Sequence, residues 1–390
     1  MLPDKDGPSQ GGGGTADPGG SEDPAVSLFR EYLRLRTVHP EPDYGAALRF
    51  LDRMALELKL PAKKVEVLNW SRDPPASSAV SCAPTRRFVP PSLFLISSFS
   101  LRYIEAVRRL RARGTTLPRT VHFLFVPDEE VGGHAGMEMF VKHPEFTKLN
   151  IGFALDEGLA NPGESYTVFY GERNPWWITV KCPGDPGHGS RFVENTAAEK
   201  LRRVINAFLD FRESERKRLN TGECFTLGDV TTVNMTKVNG GVAYNVVPAH
   251  MDVSFDMRIP PTVDLQDFEE RIKRWCREAG EDVTYQFAQK HMDQEVTSTA
   301  DSNPWWSAFS TACRTMNMNL KTEIFPAATD SRFFRAVGLP AIGFSPMNNT
   351  PILLHDHNEF LNERVFLRGI DVYECLVPAL ASVAPGPGEA

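Results

Sequence analysis

The chain has 390 residues, 41% hydrophobic and 24% charged, which suits a soluble globular protein of about two domains. Its formal net charge of −7 offers no basic field, which argues against nucleic acid or an acidic membrane surface as the main partner. A small-molecule substrate is the expected ligand.

The first residues, MLPDKDGPSQGGGGTADPGGSEDP, are rich in Gly, Pro and acids and carry little that can be buried, so residues 1–24 are expected to be a disordered leader. AVSLFREYLRLRTV then shows helical spacing, with Asp23 as a candidate cap, and Tyr44 to Leu60 reads as a second amphipathic helix. VEVLNW begins a strand. From Ser71 to about Leu101 the pattern breaks down into prolines, serines and one isolated apolar run, the look of a loop or a replaced segment. RYIEAVRRLRARG is a helix by spacing. TVHFLFVPDEE and NIGFALDEG are short apolar runs that end in acids, separated by a helix-length piece from Gly136 to Phe146. Such runs suit buried strands of a mainly parallel sheet with a site at the carboxyl ends of its strands.

A second architecture follows. WWITVKCPG, a helix from Asn195 to Leu219, GDVTTVNMTKV, AHMDVSFDMRIP, a helix from Leu265 to Ala279 and VTYQFAQ give the order β, α, β, β, α, β, a ferredoxin-like insert. In MDVSFDMR, Met251, Val253, Phe255 and Met257 share one face, as in a sheet covered on one side. Beyond about Asp293 the chain returns to the first domain through a helix (Asn303 to Met316), the strand AIGFSP, the polar loop MNNTPILLHDHNEF and a long helix from Asn362. The fold class is therefore α/β, a mixed, mainly parallel sheet flanked by helices, with an inserted α+β lid or dimerisation domain. The expected division is 25–170 with 294–390 for the larger domain and 171–293 for the insert. Six widely spaced cysteines without a CxxC pair, and no signal segment, suit reduced thiols and the cytoplasm.

Glu129 and Glu130 follow a buried strand, so their carboxylates should emerge at a crevice and diverge. One can hold a cation while the other faces water as a general base. Taken alone, DEE before Gly132 and Gly133 reads first as an exposed acidic turn. Asp156 adds an oxygen from a neighbouring strand, with turn capping as its plainer alternative. In HDHNE, His355 and His357 supply imidazole, but alternation along an extended chain lets only one of them face a metal.

FVPDEEVGG, FALDEG, NPWW, PGHGSRF, NGGVAYNVVP, FDMR, PAATDSRF and SPMNNTPILLHDHNE together resemble the cocatalytic dizinc exopeptidase and deacylase family. The resemblance runs from about Pro24 to Val67 and from about Arg102 to Val383. It implies an amidohydrolase that cleaves N-acyl-L-amino acids, mainly neutral and aliphatic ones, with two zinc ions per subunit in a homodimer. It implies Glu129 as general base and Glu130, Asp156 and His355 as zinc ligands. It further implies that His188 stabilises the oxyanion in the opposite subunit's site, and that Asn245 and Arg258, with Arg332 as a lesser candidate, grip the substrate.

One departure stands out. The family carries a strand followed by His-x-Asp, and further on an aspartate that bridges the metals. Here no histidine occurs between His39 and His122 and no aspartate between Asp73 and Asp128. The expected consequences are a missing imidazole, a missing bridge and absent first sheet strands, which would leave apolar edges unpaired. The nearest substitute is His134 in VGGHAG, although a histidine among glycines is ordinarily a plain surface residue. The alternative reading is a catalytically impaired chain that acts only by dimerisation.

Overall fold

The computed structural model describes residues 22–37, 41–67, 77–82, 92–96, 101–221, 225–354, 356 and 358–385, and the side chains of all these except 66–67, 77–82 and 92–96. The expected leader, apart from its last residues, lies outside them. The first helix, α1 (Pro24–Leu33), starts where Asp23 accepts the Ala25 N–H and Pro24 occupies the first turn, where a missing N–H costs nothing. Then come α2 (Tyr44–Glu57), capped by Asp43, β1 (Ala62–Val67), β2 (Ser77–Cys82), β3 (Ser92–Ile96), α3 (Leu101–Ala112) and β4 (Val121–Phe125). The piece between the two acid-ended strands forms two short helices, α4 (Met137–Phe140) and α5 (Pro144–Lys148), before β5 (Ile151–Asp156) and β6 (Tyr166–Glu172).

The insert holds β7 (Asn174–Pro183), β8 (Gly187–His188), α6 (Ala197–Leu219), β9 (Thr232–Gly240), β10 (Val246–Val247), β11 (His250–Ile259), α7 (Leu265–Ala279) and β12 (Thr284–Gln289). Its antiparallel sheet has the order β12-β7-β11-β9, the ferredoxin-like arrangement expected. Trp176, Ile178, Val180 and Cys182 of β7 and Val253, Phe255 and Met257 of β11 pack against Val204, Phe208, Phe268 and Ile272 of the two long helices. The period of two leaves Trp177, Asp256 and Arg258 on the open face. The long helix α6 begins with a capping box, Thr196 and Glu199 bonding reciprocally.

The chain then adds α8 (Pro304–Thr315), β13 (Leu320–Phe325), α9 (Ser331–Ala336), β14 (Ala341–Phe344) and α10 (Glu363–Ala381). The large sheet has the order β1-β2-β4-β3-β5-β14-β6-β13. Its β4-β3-β5-β14 centre is parallel, and β1/β2, β2/β4 and β14/β6 are antiparallel. Strand alternation deals side chains to two layers. Phe123, Phe153, Leu155 and Ile342 pack with Tyr103, Trp305, Phe309 and Tyr373, whereas Leu124, Ala154 and Ala341 pack with Met137, Phe140, Phe146 and Phe334. Helices thus cover both faces, which a central parallel sheet requires.

The stretch from Ser71 to Leu101 corrects an expectation. The isolated apolar run SLFLI is β3, paired in parallel with β4 and β5, and SSAVSC is β2, paired with β1 and β4. The first sheet strands are present and the β4 edges are paired, so the expected exposure of unpaired edges falls away. A parallel strand inside a sheet needs no alternation, which is why its pattern was silent. Among the described residues no helix is long and apolar enough to cross a membrane, and the cysteines with described side chains, Cys182, Cys276, Cys313 and Cys375, are free thiols.

Candidate active site

Two parallel strands, β4 and β5, deliver acids to one edge of the large sheet. After β4 the backbone turns sharply: Asp128 takes a left-handed φ of 59°, Glu129–Val131 form one 3-10 turn, and Gly132 and Gly133 follow at φ 112° and 65°. Asp128 pins this turn by accepting the Ala135 N–H at 2.7 Å. The two glutamates differ in exposure. Glu129 is half-buried and Glu130 is exposed.

Glu129 faces other carboxylates. Burial, then the charges of Glu157, Asp330, Asp156 and Glu130, push its carboxyl up to about 10. Asp330, which precedes α9, is 1% exposed, and neither of its oxygens has a hydrogen-bond partner among the described residues. Its carboxyl is held well above the usual range by burial and then by Asp156, against the opposing charge of Arg332. A cluster of buried, mutually repelling carboxylates with orphaned oxygens is a donor set that a hard or borderline divalent cation fits.

Asp156, the expected ligand from β5, makes hydrogen bonds with both of its oxygens. It continues the Ala154 face of β5, toward α9, and is 1% exposed. One oxygen accepts the Glu157 N–H at 2.8 Å; the other accepts the Ser331 N–H at 2.9 Å and the Ser331 hydroxyl at 2.8 Å. Burial raises it to about 6 despite those bonds. The next residue, Glu157, is the largest charged influence on Glu129. Glu157 and Asp330 escaped sequence reading although both stand in quoted motifs, LDEG and TDSRF.

His355 and His357 lie outside the described residues. His188 is exposed on β8, paired with Val246 of β10. Its Nδ1 accepts the Ser190 N–H at 3.3 Å and lies 2.8 Å from the Ser190 hydroxyl, so a neutral ring carries its proton on Nε2. Asn245, also exposed, accepts the Gly189 N–H on its backbone carbonyl at 2.8 Å, which brings it beside that histidine. Arg258 forks onto Asp256 at 2.7 and 2.9 Å on the open face of the insert. Arg332 donates to the Gly132 carbonyl at 2.7 Å and lies over the Phe333 ring, while its buried Nε has no hydrogen-bond partner among the described residues. Of the three substrate-gripping candidates, Arg332 is thus the one beside the acidic cluster. His134 pairs with Glu138.

Comparison with known proteins shows the family. Residues 98–379 match the model of peptidase family M20/M25/M40. The protein named Aminoacylase-1 in Mus musculus is 53% identical over 406 residues, covering 96% of this chain and 99% of that one. Among solved structures, an M20 family metallo-carboxypeptidase of Sulfolobus solfataricus superposes with a TM-score of 0.70 at 12% identity, covering 92% of this chain and 99% of the other. A Bacillus subtilis dinuclear metal-binding peptidase of the M20 family gives a TM-score of 0.66 at 14% identity, with the same coverage. The chain belongs to the peptidase family M20/M25/M40, among its aminoacylase-1 members.

Proposed function

We propose that the chain is a metal-dependent amidohydrolase that cleaves N-acyl-L-amino acids, mainly neutral aliphatic ones, to the free amino acid and a carboxylate in the cytoplasm. The observation that carries this reading is the cluster of Glu129 and Glu157, after β4 and β5, with Asp330 at the start of α9, in a chain similar along nearly its whole length to a protein named Aminoacylase-1.

Glu130, Glu157 and His355 would hold the metal, with two zinc ions per subunit as the family resemblance implies. Asp156, already committed to Ser331 and the Glu157 N–H, would orient its neighbour from behind. When bound, zinc polarises the amide carbonyl and acidifies the attacking water. Glu129 is the general base: a cation bound in the cluster would offset the carboxylate repulsion that raises it and leave a carboxylate that takes a proton from water and returns it to the leaving amine. Arg332, beside the acidic cluster, would meet the substrate carboxylate, whereas the Nε and Nη2 of Arg258 are already engaged by Asp256.

His188 presents an exposed Nε2–H, the donor an oxyanion needs, and would serve the site of a second subunit. A homodimer through the insert is supported by β9, an edge strand with no further partner among the described residues, which bears exposed Met235 and Val238, and by exposed Phe192, Val242 and Tyr244 elsewhere in the insert.

A second reading is favoured by one observation, the lack of any histidine between His39 and His122 and of any aspartate between Asp73 and Asp128. In it the chain binds little metal and acts by association alone. The deciding experiment measures zinc per subunit by elemental mass spectrometry together with hydrolysis of N-acetylmethionine. Turnover with zinc at the acidic cluster is expected. Absence of both sinks the first reading and leaves the second.

A further inference from the structure

The junction between the two domains carries a second group of metal-ligating side chains. His134 follows Gly132 and Gly133 in the loop after β4, Glu138 lies one turn further on in α4, and His291 stands where the chain leaves β12 to rejoin the large domain. One ligand atom from each lies within 4.8 Å of those of the other two, and the two imidazole rings stack with centroids 5.9 Å apart and an interplanar angle of 20°. His134 Nδ1 is 2.6 Å from Glu138 Oε2, and its Nε2 is 3.3 Å from Gln289 Oε1.

Two features go beyond a surface His–Glu pair. His291 Nε2 is buried and has no hydrogen-bond partner among the described residues, and an imidazole nitrogen left dry and unpaired is costly unless something binds it. The His291 backbone is fixed, since its carbonyl accepts from Trp176 Nε1 at 2.8 Å and Asn174 Nδ2 at 3.0 Å. On the other side a Cβ at Gly132 would meet the His134 ring at 3.1 Å, so glycine leaves that ring its place.

We propose that His134, Glu138 and His291 form a divalent-metal site of the zinc class that ties the insert to the large domain, with ligands separate from those of the acidic cluster. Two imidazoles and one carboxylate are a zinc donor set. Zinc–ligand bonds of about 2.0 Å place ligand atoms about 3.3 Å apart, so closing the site takes a movement of no more than about 1.5 Å. Burial and the nearby Arg332 guanidinium lower the His291 pKa and keep the ring in its neutral, ligating form. Lys142, 3.2 Å from the other oxygen of Glu138, competes only from an exposed position.

The test uses the full chain stripped with chelator, then loaded with zinc chloride and dialysed, as wild type, His291→Gln and His134→Gln. Zinc per chain is counted and melting is followed with rising zinc. The wild type is expected to retain one more zinc than either variant, and each variant to bind that zinc at least ~10-fold more weakly, with a correspondingly smaller rise in Tm. Equal zinc content and superimposable thermal shifts in all three chains would overturn the site. His134 is exposed, so His134→Gln decides the question if His291→Gln misfolds by circular dichroism. Hydrolysis of N-acetylmethionine reports on the acidic cluster instead, so an inactive chain that shows the one-zinc difference rejects the proposed activity and keeps this site.

Discussion

Asp156 and Ser331 form a closed pair: one carboxylate oxygen receives both the backbone N–H and the hydroxyl of a serine that is itself fully buried. The pair fastens the start of α9 to the end of β5, and Glu157 is the acid whose charge weighs most on Glu129. Asp156→Ala removes the acceptor of the buried Ser331 hydroxyl and of the Glu157 N–H and leaves the Ser331 N–H only its longer bond to Thr329, so it is expected to destabilise the fold by about 2–4 kcal/mol. Glu157→Gln is expected to lower zinc content with little loss of stability. Denaturant unfolding and elemental analysis of both variants separate the roles; zinc loss confined to the Asp156 variant would reverse them.

Where β6 passes into the insert, Glu172 and Arg335 form an ion pair with side chains 7% and 4% exposed and a bond of 2.8 Å. Arg335 also donates twice to the Ala341 carbonyl, and Glu172 accepts the Thr329 N–H. Removing one partner strands a buried charge, so Glu172→Ala is expected to cost about 3–5 kcal/mol, and replacing both by leucine to recover most of it. Urea midpoints for the single and double variants check this. A double variant no better than the single one would mean that the outer hydrogen bonds, rather than the stranded charge, carry the effect.

What was legible in the chain followed how strongly local pattern and tertiary place agree. The insert read through in order because α6 and α7 are long and amphipathic and β11 alternates cleanly over them. The β4 and β5 termini announced themselves through acids after apolar runs. SLFLI gave no period, since a strand inside a parallel sheet has no solvent side. Asp156 was legible in principle: two residues beyond Ala154 on a strand means the same face, the one covered by α9. The meeting of His134 with His291 was not, because it depends on how the chain comes back from the insert and nothing local marks KHMD.

Glu129 sits among like charges, and function and stability should therefore pull apart there. Glu129→Gln keeps the shape but cannot take a proton, so turnover of N-acetylmethionine is expected to fall by about 10²–10⁴-fold while zinc content stays the same. Removing one repelling carboxyl from the cluster should leave Tm unchanged or higher. Steady-state kinetics, metal analysis and calorimetry on one preparation test all three. Retained turnover would move the general base elsewhere.

His122, on β4, is 5% exposed, and its imidazole is depressed from 6.5 to about 4 because burial outweighs a backbone hydrogen bond with Leu149. The folded chain resists protonation that the unfolded chain accepts. The stability this residue contributes is therefore complete above about pH 6.5 and is lost as pH falls toward 4, by about 3 kcal/mol in all. Replacing it with a side chain that cannot ionise, His122→Gln, should flatten that part of the pH profile even if it lowers stability at pH 7. Unfolding midpoints measured every half unit from pH 7.5 to 4, for wild type and variant, give the difference directly. Parallel profiles would mean that the ring titrates alike in the folded and unfolded chain, so that burial does not depress it.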